Sequence, residues 1–265
     1  MKKRNVASFL WIYVVLIFMY MPIVMLAIYS FTESTQIGAI RAFSLQNYKT
    51  LIEMDELRNM IVGTFALAFS VAILSTILGT MGAVGSFYSK KKLRGAIELA
   101  NQIPVVNADV VTGFSVCILM IVFLHVDKDT FIPLVIGQTA LCTPFVYLSV
   151  MPRLTQMDPF LYEAALDLGA NSTQALVKVV FRELIPGILS GFMTAVTLSL
   201  DDYFITSYTK PAVFDTISTY VVNATRGSQT QIKTALWALS TIIFVIVTVV
   251  CIAVNITSLR KEESR

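Results

Sequence analysis

Asp158-Pro-Phe-Leu-Tyr-Glu-Ala-Ala-Leu-Asp-Leu-Gly-Ala-Asn-Ser-Thr-Gln-Ala-Leu-Val-Lys-Val-Val-Phe-Arg-Glu-Leu-Ile-Pro186 is a stretch of soluble character in a chain that otherwise avoids water. Asp158 is a good N-cap, Pro159 suits the first helical position, and Gly169 is the residue type that ends a helix in a left-handed turn. A short helix is expected from Pro159 to Leu168. Asn171 can cap a second helix with Gln174 in the capping-box position, and that helix is expected to run until Pro186 removes a backbone donor. On the first helix Leu161, Ala165 and Leu168 recur at helical spacing, while Glu163 and Asp167 lie i,i+4 on another face. Two uses fit such a small, partly acidic knob: an amphipathic helix lying on a membrane surface, or a docking element for another protein.

The rest of the chain sets its surroundings. Of 265 residues, 56% are hydrophobic and 14% are charged, and mean hydropathy is +0.73. Soluble domains carry about a quarter charged residues, so the composition is that of an all-α polytopic membrane protein. The net charge of +3 is spread over loops and leaves no footprint for nucleic acid. A span needs about 20 apolar residues. Six are expected, at about 6–31, 60–88, 99–125, 131–151, 186–208 and 235–259, in a single domain of residues 1–265. The 158–185 segment falls between the fourth and fifth. Gly79 to Ala83, with Gly82 and Gly85, suits close helix packing. Phe43 to Tyr48 reads as a short docking or amphipathic piece in the first loop. With the N-terminus inside, 13 of the 20 Lys and Arg residues fall on the cytoplasmic side and 7 outside. The positive-inside rule therefore places both termini and the 158–185 segment in the cytoplasm.

No G-x-x-x-x-G-K-[ST] loop occurs, so the chain lacks the usual phosphate cradle. It has no nucleophile elbow, and His125, the single histidine, offers little for acid–base work or a metal cluster. Cys117, Cys142 and Cys251 sit in apolar segments without metal-type spacing and read as buried thiols. No catalytic residue, metal or cofactor is expected. The informative ionisable groups lie at membrane depth, where a carboxylate costs at least a few kcal/mol unless it faces water or a partner. Asp109 is one, and Pro104-Val-Val-Asn107-Ala-Asp109 suggests a broken helix whose freed backbone groups need a polar cavity. It either lines a substrate path or pairs with a basic residue of a neighbouring helix. Asp201 and Asp202 are adjacent, so on a helix they point about 100° apart and cannot both face lipid. They either face a central path or mark the water interface. Tyr203, Phe204 and Tyr208 nearby could stack on a cation, at about 0.5–2 kcal/mol each. Two acidic loci with few buried basic residues point to a cationic substrate.

Glu163-Ala164-Ala165, three residues, then Gly169 resembles the EAA loop of binding-protein-dependent ABC importer permeases, the segment that family inserts into a cleft of its ATPase. The family pattern continues with an aliphatic residue, one more residue and Leu-Pro; here those places hold Val179, Val180, Phe181 and Arg182, which leaves Pro186 to end the helix. Beyond the loop, Tyr20-Met-Pro-Ile23, Phe43-Ser-Leu-Gln-Asn-Tyr48, Ala108-Asp109-Val-Val111 and Leu198-Ser-Leu-Asp-Asp-Tyr203 make the whole chain similar to the C-type permease of spermidine/putrescine ABC importers. The resemblance implies a type I importer permease fold of six spans with a cytoplasmic coupling helix. It implies a sister permease, two copies of an ATP-binding subunit that hydrolyses the ATP, an extracytoplasmic binding protein, and residence in the bacterial inner membrane. It assigns coupling to Glu163, Ala164, Ala165 and Gly169. Asp109, Asp201, Asp202 and Tyr203 then become substrate-path candidates. A permease for iron or another small solute, and an ion-coupled secondary transporter using Asp109, are the alternatives; the second lacks a visible inverted repeat.

Overall fold

The computed structural model describes residues 6–32, 42–158, 160–226, 236–242, 244, 245 and 248. They divide into two units, one drawn from the chain ends (Met1–Asn59 and Val221–Arg265) and one from Met60–Tyr220. In the first, helix α1 (Val6–Ser30) is strongly apolar, and in its Trp11–Ser30 stretch only the terminal Ser30 is buried by the protein. A helix with no polar face needs an apolar solvent along its length. Its last carbonyls are orphans that must find donors. Asn47 of α2 (Gln46–Glu53) supplies them, its Nδ2 donating to Ser30 O at 2.9 Å and Thr32 O at 3.1 Å. Tyr48 OH shares a hydrogen bond with Ser30 Oγ at 2.9 Å, and the Phe31 ring lies 5.7 Å from Phe43 and 5.0 Å from Tyr48. The expected docking piece at Phe43–Tyr48 is thus a clamp on the end of α1. The last expected span, 235–259, lies mostly outside the described residues, although 236–242 are helical.

The second unit is built on α3 (Asp55–Phe87) from Met60 onward, α4 (Lys91–Val106), α5 (Asp109–Ile118) with a π-turn at Leu119–Phe123, and α6 (Ile132–Gln156). It continues through α7 (Phe160–Asp167), α8 (Ser172–Ala175) with a π-turn at Leu176–Val180, α9 (Phe181–Asp201), α10 (Phe204–Thr209) and the start of α11 (Ile217–Arg226), up to Tyr220. Helix α6 is central and packs against α4, α5, α9 and α10. Leu134, Cys142, Val146, Val150 and Leu154 along it are fully buried. Small residues let its neighbours close in, since without them the backbones could not approach. A Cβ on Gly79 would sit 2.7 Å from Val146 Cβ, and one on Gly191 3.0 Å from Val146 Cγ1. Gly82 and Gly85 make no such close approach. Tyr147 OH donates to Ser86 Oγ at 3.0 Å, adding a polar tie between α6 and α3.

Among the described residues four helical stretches are long and apolar enough to cross a bilayer: Trp11–Ser30, Leu57–Phe87, Ile132–Gln156 and Ser172–Asp201. A fifth arises if Lys91–Val106 and Asp109–Phe123 count as one span bent by 109°. The third span is two helices, broken at Asn107–Ala108 as Pro104 to Asp109 suggested. One expectation changes. The helix entered at Ser172 does not stop at Pro186 but runs on to Asp201. A proline inside a membrane helix is tolerated because neighbouring structure and local π adjustment absorb the freed carbonyl. The π-turn at Leu176–Val180 lies just upstream, and Gly187 lets α6 approach so closely that a Cβ there would meet Arg153 Cγ at 2.8 Å.

Candidate functional site

Two helix breaks are each followed by a helix, and those two helices pack together. The first is Asn107–Ala108, both extended, where α4 gives way to α5 at the 109° bend. Asn107 Nδ2 donates across the break to Thr112 Oγ1 at 3.3 Å. The second is at Asp202, extended at φ −65° and ψ 119°, where α9 gives way to α10. Helices α5 and α10 pack so closely that a Cβ on Gly113 would lie 2.9 Å from Ile205 Cα.

The candidate acids divide between these breaks. Asp109 opens α5, is exposed, and has no basic side chain paired with it among the described residues. An acid in a first helical turn gains about 0.3–1 kcal/mol from the helix dipole. Asp201 is exposed at the end of α9. Asp202 is not in a helix beside it, as the two adjacent acids were expected to be; it turns inward and is 8% exposed. Its Oδ1 accepts from Ile205 N at 3.2 Å, and its Oδ2 from Thr206 N at 2.9 Å, Thr206 Oγ1 at 2.6 Å and Gln138 Nε2 at 3.3 Å. Gln138 also donates to Thr206 Oγ1 at 2.7 Å, and its Oε1 accepts from Ser199 Oγ at 2.6 Å. This closed network caps α10 and fastens both sides of the break to α6. Tyr203, half-buried, meets the Phe204 ring at 5.2 Å, and Phe114 of α5 meets Tyr208 of α10 at 5.9 Å.

Gln138 and Thr206 were not singled out in the sequence, and Ser199 entered only as part of the Leu198–Tyr203 motif. Ser199 and Thr206 stand three residues before and four after Asp202, and Gln138 is an isolated amide in an apolar run, which is the signal that points to them.

The 158–185 segment forms a separate surface. Asp158 Oδ1 accepts from Phe160 N at 2.9 Å and starts α7; Pro159 lies outside the described residues. The helix ends in a Schellman turn: Ala170 N donates to Ala165 O at 3.1 Å, Gly169 N to Leu166 O at 2.9 Å, and Gly169 has φ +88°. Asn171 and Gln174 form the expected capping box, with Gln174 N to Asn171 Oδ1 at 2.8 Å and Asn171 N to Gln174 Oε1 at 3.3 Å. Glu163, Ala164 and Gly169 are exposed, whereas Ala165 is buried. The inward face carries Tyr162 and Ala165, not the expected stripe of Leu161, Ala165 and Leu168, because Leu168 is 90% exposed. Tyr162 meets the Tyr88 ring at 5.6 Å just beyond α3, and burial together with Tyr162 pushes the Tyr88 phenol up.

Residues 14–261 match the family described as the inner membrane component of binding-protein-dependent transport systems. The chain belongs to this family. It is a permease of the multi-pass membrane class, a subunit type without catalytic chemistry of its own. Among its relatives, the putrescine transport system permease protein PotI of Escherichia coli is 30% identical over 216 residues, 79% of this chain and 76% of that one. The spermidine/putrescine permease PotC of Haemophilus influenzae is 26% identical over 237 residues, 89% and 90% of the two chains. A crystal structure of an amino acid ABC transporter with histidines shares the fold, with TM-score 0.54 at 13% identity over 77% of this chain and 92% of that one. In this permease the paired breaks lie in the second unit, and the α7 surface lies on the segment after α6.

Proposed function

We propose that this permease moves a polyamine such as spermidine or putrescine, with Asp109 and Asp201 meeting the ammonium groups and Tyr203 offering a ring face. The observation that carries this is the pair of exposed carboxylates at two helix breaks whose following helices, α5 and α10, are packed together. A flexible dication is complementary to two separated acids, and breaks supply backbone carbonyls that an unbroken helix keeps to itself. Relatives bearing putrescine and spermidine in their names, over 79% and 89% of the chain, support the same cargo. Asp202, saturated with donors, positions α10 and does not take the substrate.

Six spans with both termini in the cytoplasm of a bacterial cell make the domain, as the bias of 13 basic residues against 7 favours. A sister permease completes the path, an extracytoplasmic binding protein delivers substrate, and two ATP-binding subunits hydrolyse ATP. Glu163, Ala164 and Gly169 form the docking surface for one of them. The exposed Phe160 and Leu168 support this, since apolar groups held out in water mark a covered surface. Ala165 holds the α7 helix down rather than meeting the ATPase.

The test is ATPase activity of the reconstituted complex with loaded binding protein, offered spermidine, putrescine and a non-polyamine solute. Stimulation by a polyamine, lost in Glu163→Ala and Gly169→Val, supports cargo and coupling together. Stimulation by the other solute alone removes the polyamine assignment. Uptake that follows the proton gradient and ignores vanadate removes the ATP-driven mechanism.

A further inference from the structure

An apolar groove with a volume of 590 Å³ runs between three helices of the second unit, lined by Leu74 and Gly82 of α3, Ile97 and Pro104 of α4, and Val135 and Tyr147 of α6. That volume lies within the range of about 300–1,000 Å³ typical of ligand sites. From Val135 to Tyr147 it follows α6 for twelve residues, about 18 Å at 1.5 Å per residue. One leaflet's hydrocarbon layer is about 15 Å thick. The lining along α6 is therefore comparable in length to one leaflet. Thr139, 8% exposed and lining the groove, keeps a buried hydroxyl without a hydrogen-bond partner among the described residues. Asn101, also lining it, makes among the described residues a single 3.5 Å contact, Nδ2 to Pro144 O, and its amide has a second hydrogen to donate.

Charge distinguishes one end. Helix α4 begins just after Lys90 and carries Lys91 and Lys92 in its first turn, all three exposed and none ion-paired among the described residues. Arg94 is neutralised by Glu98 at 2.8 Å, so the free charge belongs to the lysines. Ile97, the first α4 residue of the groove, follows within two turns.

We propose that the groove holds an acyl chain of an anionic phospholipid whose headgroup is bound by Lys90, Lys91 and Lys92, with Asn101 donating to an ester carbonyl. The inference rests on the membrane placement of the helices and is independent of the cargo. Unpaired basic side chains beside a membrane helix attract anionic headgroups at about fivefold in affinity each, on the order of 100-fold for three.

The assembled importer complex is exchanged into nanodiscs of phosphatidylglycerol and phosphatidylcholine in equal parts, extracted, and its retained lipid counted by native mass spectrometry. Phosphatidylglycerol retained by the wild type is expected, with its preference over phosphatidylcholine falling by a factor on the order of 100 in the Lys90→Gln, Lys91→Gln, Lys92→Gln variant. Ala100→Trp, which fills the groove from α4, loses the lipid while keeping the lysines. If it fails to assemble, Ala100→Leu makes the same test at smaller volume. Equal retention of both lipids, or phosphatidylglycerol unaffected by filling the groove, overturns the proposal. So does crosslinking of the sister permease by a benzophenone–maleimide probe attached at Ala100→Cys without retained lipid, which would show protein in the groove.

Discussion

Gln138 Nε2 lies 2.7 Å from Thr206 Oγ1, joining the second turn of one membrane helix to the short helix after a break 64 residues beyond Gln138. The amide bridges both sides of that break, since its oxygen takes Ser199 from α9 and its nitrogen takes Thr206 and Asp202. A glutamine is suited to this because it donates and accepts at once. Gln138→Leu keeps the volume and strands several buried polar groups, at about 1–3 kcal/mol each. The expected outcome is a lower Tm of the detergent-solubilised permease, by about 2–4 °C per kcal/mol. Gln138→Glu is expected to be worse, because it sets a second carboxylate against Asp202 at a buried site.

The two classes of acid should separate on substitution. Asp109→Asn and Asp201→Asn leave every hydrogen bond among the described residues intact, so assembly and Tm are expected to stay near wild type while polyamine uptake falls at least tenfold. Asp202→Asn replaces an acceptor of four donors by a group with one acceptor oxygen. Its expected signature is lost stability, by about 1–3 kcal/mol, with uptake falling alongside. Uptake assays paired with thermal unfolding of each variant distinguish the two. Normal uptake in both Asp109→Asn and Asp201→Asn would remove them from the path.

Gly169 isolates backbone from contact. A Cβ there meets nothing within 4 Å, yet its φ is +88°. Any loss on substitution therefore comes from the left-handed backbone, about 1–2 kcal/mol for an ordinary residue and less for asparagine. Gly169→Val is expected to unwind the Schellman turn and abolish stimulated ATPase activity while the permease still assembles. Gly169→Asn is expected to keep most of it. Equal loss in both would mean that the ATPase packs too tightly on Gly169 to admit any side chain, so that this contact rather than the left-handed turn governs coupling.

What could be read from the sequence was local. The cap at Asp158, the Gly169 turn and the Asn171–Gln174 box are set by residues within four positions of each other, and all appear. The break before Asp109 was legible for the same reason, because proline and asparagine mark it in place. The course of the helix through Pro186 was not, since a proline's effect depends on what neighbouring helices and upstream backbone absorb. Nor was the inward turn of Asp202, because its partner Gln138 is 64 residues away and only tertiary packing brings an isolated amide to it. The burial of Ala165 and exposure of Leu168 fail on the same ground: hydrophobic spacing names a face, and tertiary contact chooses which residues of it are covered.

The glycines give the sharpest contrast. Gly85 and Gly113 are both inside helices, where replacing glycine by alanine gains about 0.5–1 kcal/mol from the unfolded chain. At Gly85 nothing lies within 4 Å of the new Cβ, so Gly85→Ala is expected to raise Tm slightly and leave uptake unchanged. At Gly113 the new Cβ stands 2.9 Å from Ile205 Cα, a backbone atom that cannot swing aside. Relief requires α10 to shift from α5, and α10 carries Thr206 and the capped end at Asp202. Overpacking costs about 1–3 kcal/mol, which outweighs the helix gain. Gly113→Ala is therefore expected to lower Tm and reduce uptake, and thermal unfolding with uptake assays on the two single variants checks both. A Gly113→Ala permease as stable as Gly85→Ala would mean that α5 and α10 separate freely, and the two breaks could not then hold their acids in register.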